Sequence, residues 1–185
     1  MTKIWRRIFT CGADRSPPRD FLRSQDGASA VEFGMIALPF IAIIFATLQA
    51  AILLMAQEYL ETAVEKAGRL VLTGQAQSNG WTQAQFKQQV CNFLPVLFNC
   101  NSLMVNMQTA TTFSNANTSS PSVTFNSSGS VSNQWTYQPG NPGDIVVLQV
   151  MYQWPVFASL LGFNLANLSN GNHLLIATSV FKNEP

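Results

Sequence analysis

The sequence predicts an α+β fold: a long N-terminal transmembrane helix that continues into a small domain with a second helix and an antiparallel sheet. Three observations predict it. Residues 33–56 carry no charge, and Thr47 and Gln49 are their only polar side chains. A stripe of apolar residues at helical spacing comes next. Beyond Leu103 the apolar spacing changes from helical to alternating. The chain therefore divides into a basic leader (1–27), a long helix (28–73, transmembrane over about 33–56) and an outer α+β domain (74–185). With 185 residues, 47% hydrophobic and 10% charged, one modest domain plus a membrane segment fits better than two domains.

The leader sets the orientation. Residues 1–26 hold six of the ten basic residues (Lys3, Arg6, Arg7, Arg15, Arg19, Arg23) against three acids. A basic segment directly before a lone apolar helix places the N-terminus in the cytoplasm and the remainder across the membrane. A nucleic-acid-binding arm would need a sustained basic run with interleaved aromatics, so no nucleic acid partner is expected.

At helical rise, the 24 residues of 33–56 reach ~36 Å, enough for the ~30 Å hydrocarbon core of a bilayer. In lipid the backbone must satisfy its own hydrogen bonds, so such a segment is helical. Pro39 removes one donor and bends the helix locally. Glu32 stands at the lip of the run, where a carboxylate is costly without a cation or water. A secretory signal has a shorter core, of roughly 7–15 residues, before a small-x-small cleavage site. Ala46 and Ala50 could imitate such a site, and that alternative stays open.

Beyond the membrane, Leu60, Ala63, Val64, Ala67 and Val71 fall on one helical face, with Glu58, Glu61, Glu65, Lys66 and Arg69 mainly elsewhere. Gly74 is the expected stop. Residues 75–80 read as a turn. Thr82 and Gln85 then form a capping-box pair, with Trp81 and Phe86 in the staple positions. This second helix should run to about Phe93 and bury Phe86, Val90 and Leu94.

Cys11 lies in the leader, on the reducing side. Cys91 and Cys100 fall beyond the membrane, where oxidation is expected, and the loop between them is short enough to close as a disulfide. Two free thiols are the alternative. A metal site would need more ligands than one histidine, His173, and these cysteines supply.

Leu103, Val105 and Met107 alternate with polar or flexible neighbours as a strand does. Residues 114–143, rich in Ser, Asn, Thr, Gly and Pro, read as long loops around short strands near Ser122–Phe125 and Gln134–Tyr137. Asp144–Trp154 is the clearest strand and is expected to be central, with Pro155 ending it. Phe157–Leu168 reads as a short helix or a covering loop. Leu174–Phe181 is the final strand, with Leu174, Ile176 and Val180 on one face.

The stretch Gly27-Ala-Ser-Ala-Val-Glu32-Phe-Gly-Met-Ile-Ala-Leu-Pro39 resembles the processing region of type IV prepilins, and more narrowly the TadE-like family, minor pseudopilins of the Flp (tight adherence) pilus. Glu65-Lys-Ala-Gly-Arg69 and the stretch Phe181-Lys-Asn-Glu-Pro185 are also similar to that family. The resemblance implies a pilin-like fold and cutting after Gly27 on the cytoplasmic side by a prepilin peptidase, which leaves Ala28 as the new terminus. It also implies Glu32 as the fifth mature residue and the group that sets register. Physically, a free α-amino group at Ala28 titrates near ~8 and is mostly cationic at neutral pH, so Glu32 gains a counter-ion on its own chain or a neighbour's. The alternative is an uncut anchor whose Glu32 rests in the headgroups.

The function expected from these readings is that of a membrane-inserted minor pilin or pseudopilin, taking part in assembly of a Flp-type pilus for adhesion. The expected place is the bacterial inner membrane, single-pass, with a periplasmic domain. Expected partners are inner-membrane lipid, a prepilin peptidase, other pilin subunits and pilus assembly proteins. The alternative is an uncleaved single-pass protein whose periplasmic domain binds a ligand or partner. No enzyme, cofactor or metal is expected: His173 comes after the turn Asn170-Gly171-Asn172 without a nucleophile, carboxylate or glycine-rich phosphate loop around it.

Overall fold

The structure, a computed structural model, describes residues 27–127, 129–156, 162 and 164–185. The leader with Cys11, and residues 157–161 and 163 of the apolar stretch after Pro155, lie outside the described residues. Two compact units divide the chain, Met1–Ile41 and Ala42–Pro185. Helix α1 spans Ala28–Leu72, with Pro39 inside it. In the first unit, the described side chains from Val31 to Ile41 are nearly all exposed.

The second unit carries α1 from Ala42 onward, a four-residue helical turn α2 (Gln75–Ser78) and α3 (Gln83–Asn92). Its sheet comprises β1 (Leu103–Ala110), β2 (Ile145–Pro155) and β3 (Asn172–Lys182), antiparallel in the order β1-β2-β3. The class is α+β, and β2 is central. The stripe Leu60, Ala63, Val64, Ala67 and Val71 is wholly buried, in one core with Phe86 and Val90 of α3 and the inner face of the sheet. Leu94 is only half-buried.

Local chemistry sets the breaks. Gly74 adopts φ 76°, a left-handed conformation that stops α1. The segment 75–80, expected as a plain turn, instead winds once as α2, because Ala76 has a core position to fill. The capping box of α3 is complete: Gln85 N donates to Thr82 Oγ1 at 3.3 Å, and Thr82 N donates to Gln85 Oε1 at 2.8 Å.

The expected strands near 122–125 and 134–137 reduce to single bridges, Phe125 with Val131 and Tyr137 with Met107. Side chains there satisfy the backbone instead. Thr124 N, for example, donates to Asn133 Oδ1 at 2.6 Å. In β3 the register puts Leu175, Ala177 and Phe181 in the core. Leu174, Ile176 and Val180 share the other face and are half-buried.

The outer face of β2 is buried as well, by the loop between β1 and β2. Asn106 and Gln149, both buried, are hydrogen-bonded at 3.1 Å. Gln149 Nε2 also donates to the Ser119 carbonyl at 3.0 Å, and Thr136 N donates to Asn106 Oδ1 at 3.2 Å. Two amides on the sheet thus hold both halves of the loop.

Candidate processing and membrane segment

Gly27 occupies the turn that opens α1. Its carbonyl accepts the first helical hydrogen bond, from Val31 N at 3.1 Å. The glycine is exposed, with open space where a Cβ would stand. Ala28 is the first helical residue, and Glu32 lies four residues further on. That spacing puts both on one face, ~6 Å apart along the axis. The Glu32 side chain is exposed.

From Phe33 to Ala56 the helix is apolar but for Thr47 and Gln49. Phe33, Met35, Ile36, Leu38 and Phe40 are each more than half exposed in the first unit. In the second unit the same holds of Ile43, Phe45, Leu48 and Leu54. A helix that exposes apolar residues on every side suits lipid or other helices rather than water. Among the described residues α1 is the one helix long and apolar enough to cross a membrane. Pro39 has no N–H to offer the Met35 carbonyl, a loss that membrane helices tolerate.

The two polar residues of this run behave differently. Thr47 Oγ1 donates to the Ile44 carbonyl at 2.8 Å and is satisfied within its own helix. Gln49 Nε2 is buried without a hydrogen-bond partner.

Residues 27–69 match the family model of TadE-like proteins.

The TadE-like segment starts at Gly27 itself and ends at Arg69, one residue past Gly68. Neither a curated protein nor a solved structure gives a significant match to the chain. Residues 181–185 lie outside the match, yet the fold brings them to it. An added Cβ on Gly68 would lie 3.1 Å from Phe181 Cε1, and Glu184 N donates to the Leu72 carbonyl at 2.9 Å. Asn183, buried, donates from Nδ2 to the Pro139 carbonyl at 2.8 Å.

Elsewhere in the second unit, Cys91 and Cys100 are joined as a disulfide, Cα to Cα 5.7 Å, which ties the end of α3 to the turn before β1. His173 is half-buried, and its Nδ1 is hydrogen-bonded with the Leu165 carbonyl, a covering-loop contact. Among the described residues no three His, Cys, Asp or Glu side chains gather as metal ligands would. Within the disulfide loop, Val96 is fully exposed, which sequence reasoning passed over because an apolar loop residue looks like any core residue until its surroundings are known.

Proposed function

We propose that this chain is a membrane-inserted minor pilin or pseudopilin of a Flp-type (tight adherence) pilus, made with a leader and matured by cutting after Gly27. The observation that carries this reading is the TadE-like match over residues 27–69, which joins an accessible glycine and Glu32 to a charge-free, outwardly apolar helix. In this reading residues 1–27 remain cytoplasmic, α1 crosses the inner membrane, and residues 74–185 fold in the periplasm. The role is structural: the subunit waits in the membrane and then joins or primes a filament through α1, in company with other pilins and assembly proteins.

Co-expression with a prepilin peptidase tests the reading. Intact mass and N-terminal sequencing should show loss of residues 1–27 and a chain beginning at Ala28. A stable full-length chain would favour the uncleaved anchor with a partner-binding outer domain. A start near Ala46–Ala51 would mark a secretory signal instead.

A further inference from the structure

One end of the sheet in the second unit carries an exposed apolar loop tip. Three contacts give the relation of β3 to α1. Gln57 Nε2 donates to the Ile176 carbonyl at 2.9 Å, Phe181 packs on Gly68, and Glu184 N reaches Leu72. β3 therefore runs in the same direction as α1. From Ile176 to Phe181 is about 16 Å of strand, and from Gln57 to Gly68 is about 16 Å of helix, so the two scales agree.

Extending the scale backward by three strand residues, about 10 Å, puts His173 level with roughly the fiftieth residue of the chain. His173 pairs with Trp154 across the sheet. The Trp154 ring stands 5.6 Å from that of Phe98, whose neighbour Asn99 donates from its backbone N to Tyr152 Oη at 3.1 Å. The disulfide loop thus sits at the same end. Its tip does not join the core: Val96 is 102% exposed and Leu97 67% exposed.

Charge is distributed to match. No Asp, Glu, Lys or Arg occurs between Lys87 and Asp144 or between Asp144 and Lys182. Asp144 lies just before β2, whose Ile145 pairs with Lys182, and Glu184 meets Leu72, so these three charges gather at the far end of the sheet. Two cations stand near the loop: Lys87, which donates to the Asn101 carbonyl at 2.9 Å, and Lys66, whose Nζ lies 6.0 Å from the Phe93 ring. The acids Glu58 and Glu61 lie on α1 just past its charge-free run. A cation near the loop suits anionic headgroups. The charge-free run of α1 ends at Ala56, so the level of Trp154, near the fiftieth residue, falls within its last two turns.

We propose that the Val96–Leu97 tip of the disulfide loop docks on the lipid surface on the domain's side of the membrane, as a second membrane contact beside α1. The disulfide holds the tip closed and Phe98 anchors its base, so two apolar side chains are presented at little cost in order. The proposal rests on the membrane-inserted reading of α1.

The test replaces one residue at a time with a photo-crosslinking aromatic amino acid in the full chain in native membranes, and identifies adducts by mass spectrometry. Position 97 is the probe, Phe45 on the exposed face of α1 the lipid control, and Phe113, exposed after the opposite end of β1, the water control. Phospholipid adducts should form at 97 and at 45, with a several-fold loss at 113. Lipid adducts at 45 but none at 97, protein adducts alone at 97, or equal yields at 97 and 113 would each overturn the docking and leave the membrane helix standing. Absence of lipid adducts at 45 would instead remove the membrane reading, and the docking with it.

Discussion

Gly68 and Phe181 meet edge to backbone: a Cβ on the glycine would come 3.1 Å from Phe181 Cε1 and 3.6 Å from Ser179 Oγ. A glycine inside a helix costs about 1 kcal/mol relative to alanine, so close approach to the sheet is what offsets it here. The stripe before it uses alanine, Ala63 and Ala67, and β3 answers with Ala177. Small residues on both sides let α1 lie close to β3, and the large ring of Phe181 fills the space that Gly68 leaves.

That seam gives a first prediction. Gly68→Leu should lower the stability of the outer domain by roughly 1–3 kcal/mol through overpacking. Gly68→Ala should stay within about 1 kcal/mol of wild type, because the helix-propensity gain opposes the crowding. Urea denaturation of the two variants checks this. Equal stability of Gly68→Leu and wild type would show that the seam yields freely.

The second prediction concerns the buried amides of Asn106 and Gln149. Gln149→Leu keeps the volume but leaves Asn106 Nδ2 and the Ser119 carbonyl without their partner. An unsatisfied buried polar group costs about 1–3 kcal/mol, and here the loss falls on the loop the amide retains. Hydrogen exchange should quicken over the β1–β2 loop more than in α1. Uniform quickening across the domain would mean that the amides serve general stability only.

Third, reducing or removing the Cys91–Cys100 bond should cost on the order of 2–3 kcal/mol, chiefly by freeing the unfolded chain. Thiol labelling of the denatured, non-reduced protein should find neither cysteine free. Labelling of both would refute the bond in the cell.

Tyr137 supplies a pH dependence. Its hydroxyl is buried without a hydrogen-bond partner, and burial pushes its pKa up from the usual value. A group whose folded pKa is raised binds its proton more tightly when folded. Its contribution is therefore complete below the unfolded value, near ~10, and is lost as pH rises through the folded value. Tyr137→Phe should flatten the alkaline fall in stability and leave neutral-pH stability unchanged or slightly higher. Denaturation midpoints measured from neutral to strongly alkaline pH decide it. An unchanged alkaline slope would assign that fall to other groups.

How much of the fold was legible in sequence depends on distance along the chain. The stripe Leu60–Val71, the Thr82–Gln85 box and the strand before Pro155 are each written within a dozen residues, and each is found in the structure. The outer face of the sheet was not legible. Asn106 and Gln149 alternate with apolar residues as solvent-facing positions do, and only the folded loop makes them interior. Likewise Leu174, Ile176 and Val180 look as suited to the core as Leu175, Ala177 and Phe181. The choice between them is made by the packing on α1, where Phe181 fills the space beside Gly68 and Leu175 and Ala177 join the same core. Gly27 and Glu32 could be picked out because their setting is local, at the near flank of one apolar run. The full exposure of Val96 could not, since it depends on which neighbours the folded disulfide loop leaves it.

The last prediction turns on Glu32. Glu32→Gln keeps size and hydrogen bonding and removes the charge. A carboxylate that merely rests at the interface is a cost, so its loss should ease insertion slightly and leave function intact. A carboxylate that pairs with the Ala28 amino group behaves otherwise. Its loss leaves that cation unpartnered at a helix–helix contact, where breaking a buried pair costs ~3–5 kcal/mol. The exposed position of Glu32, one helical turn from Ala28, leaves it open to either its own terminus or a neighbour's. Insertion and folding of the outer domain should therefore survive in Glu32→Gln, because the core of that domain is built from Leu53 onward. Recruitment to the filament or its assembly complex should fail. Co-purification with pilus and assembly proteins, from cells whose membrane level of the variant equals wild type, measures it. Undiminished association with normal piliation would show that the charge of Glu32 has no part in setting register.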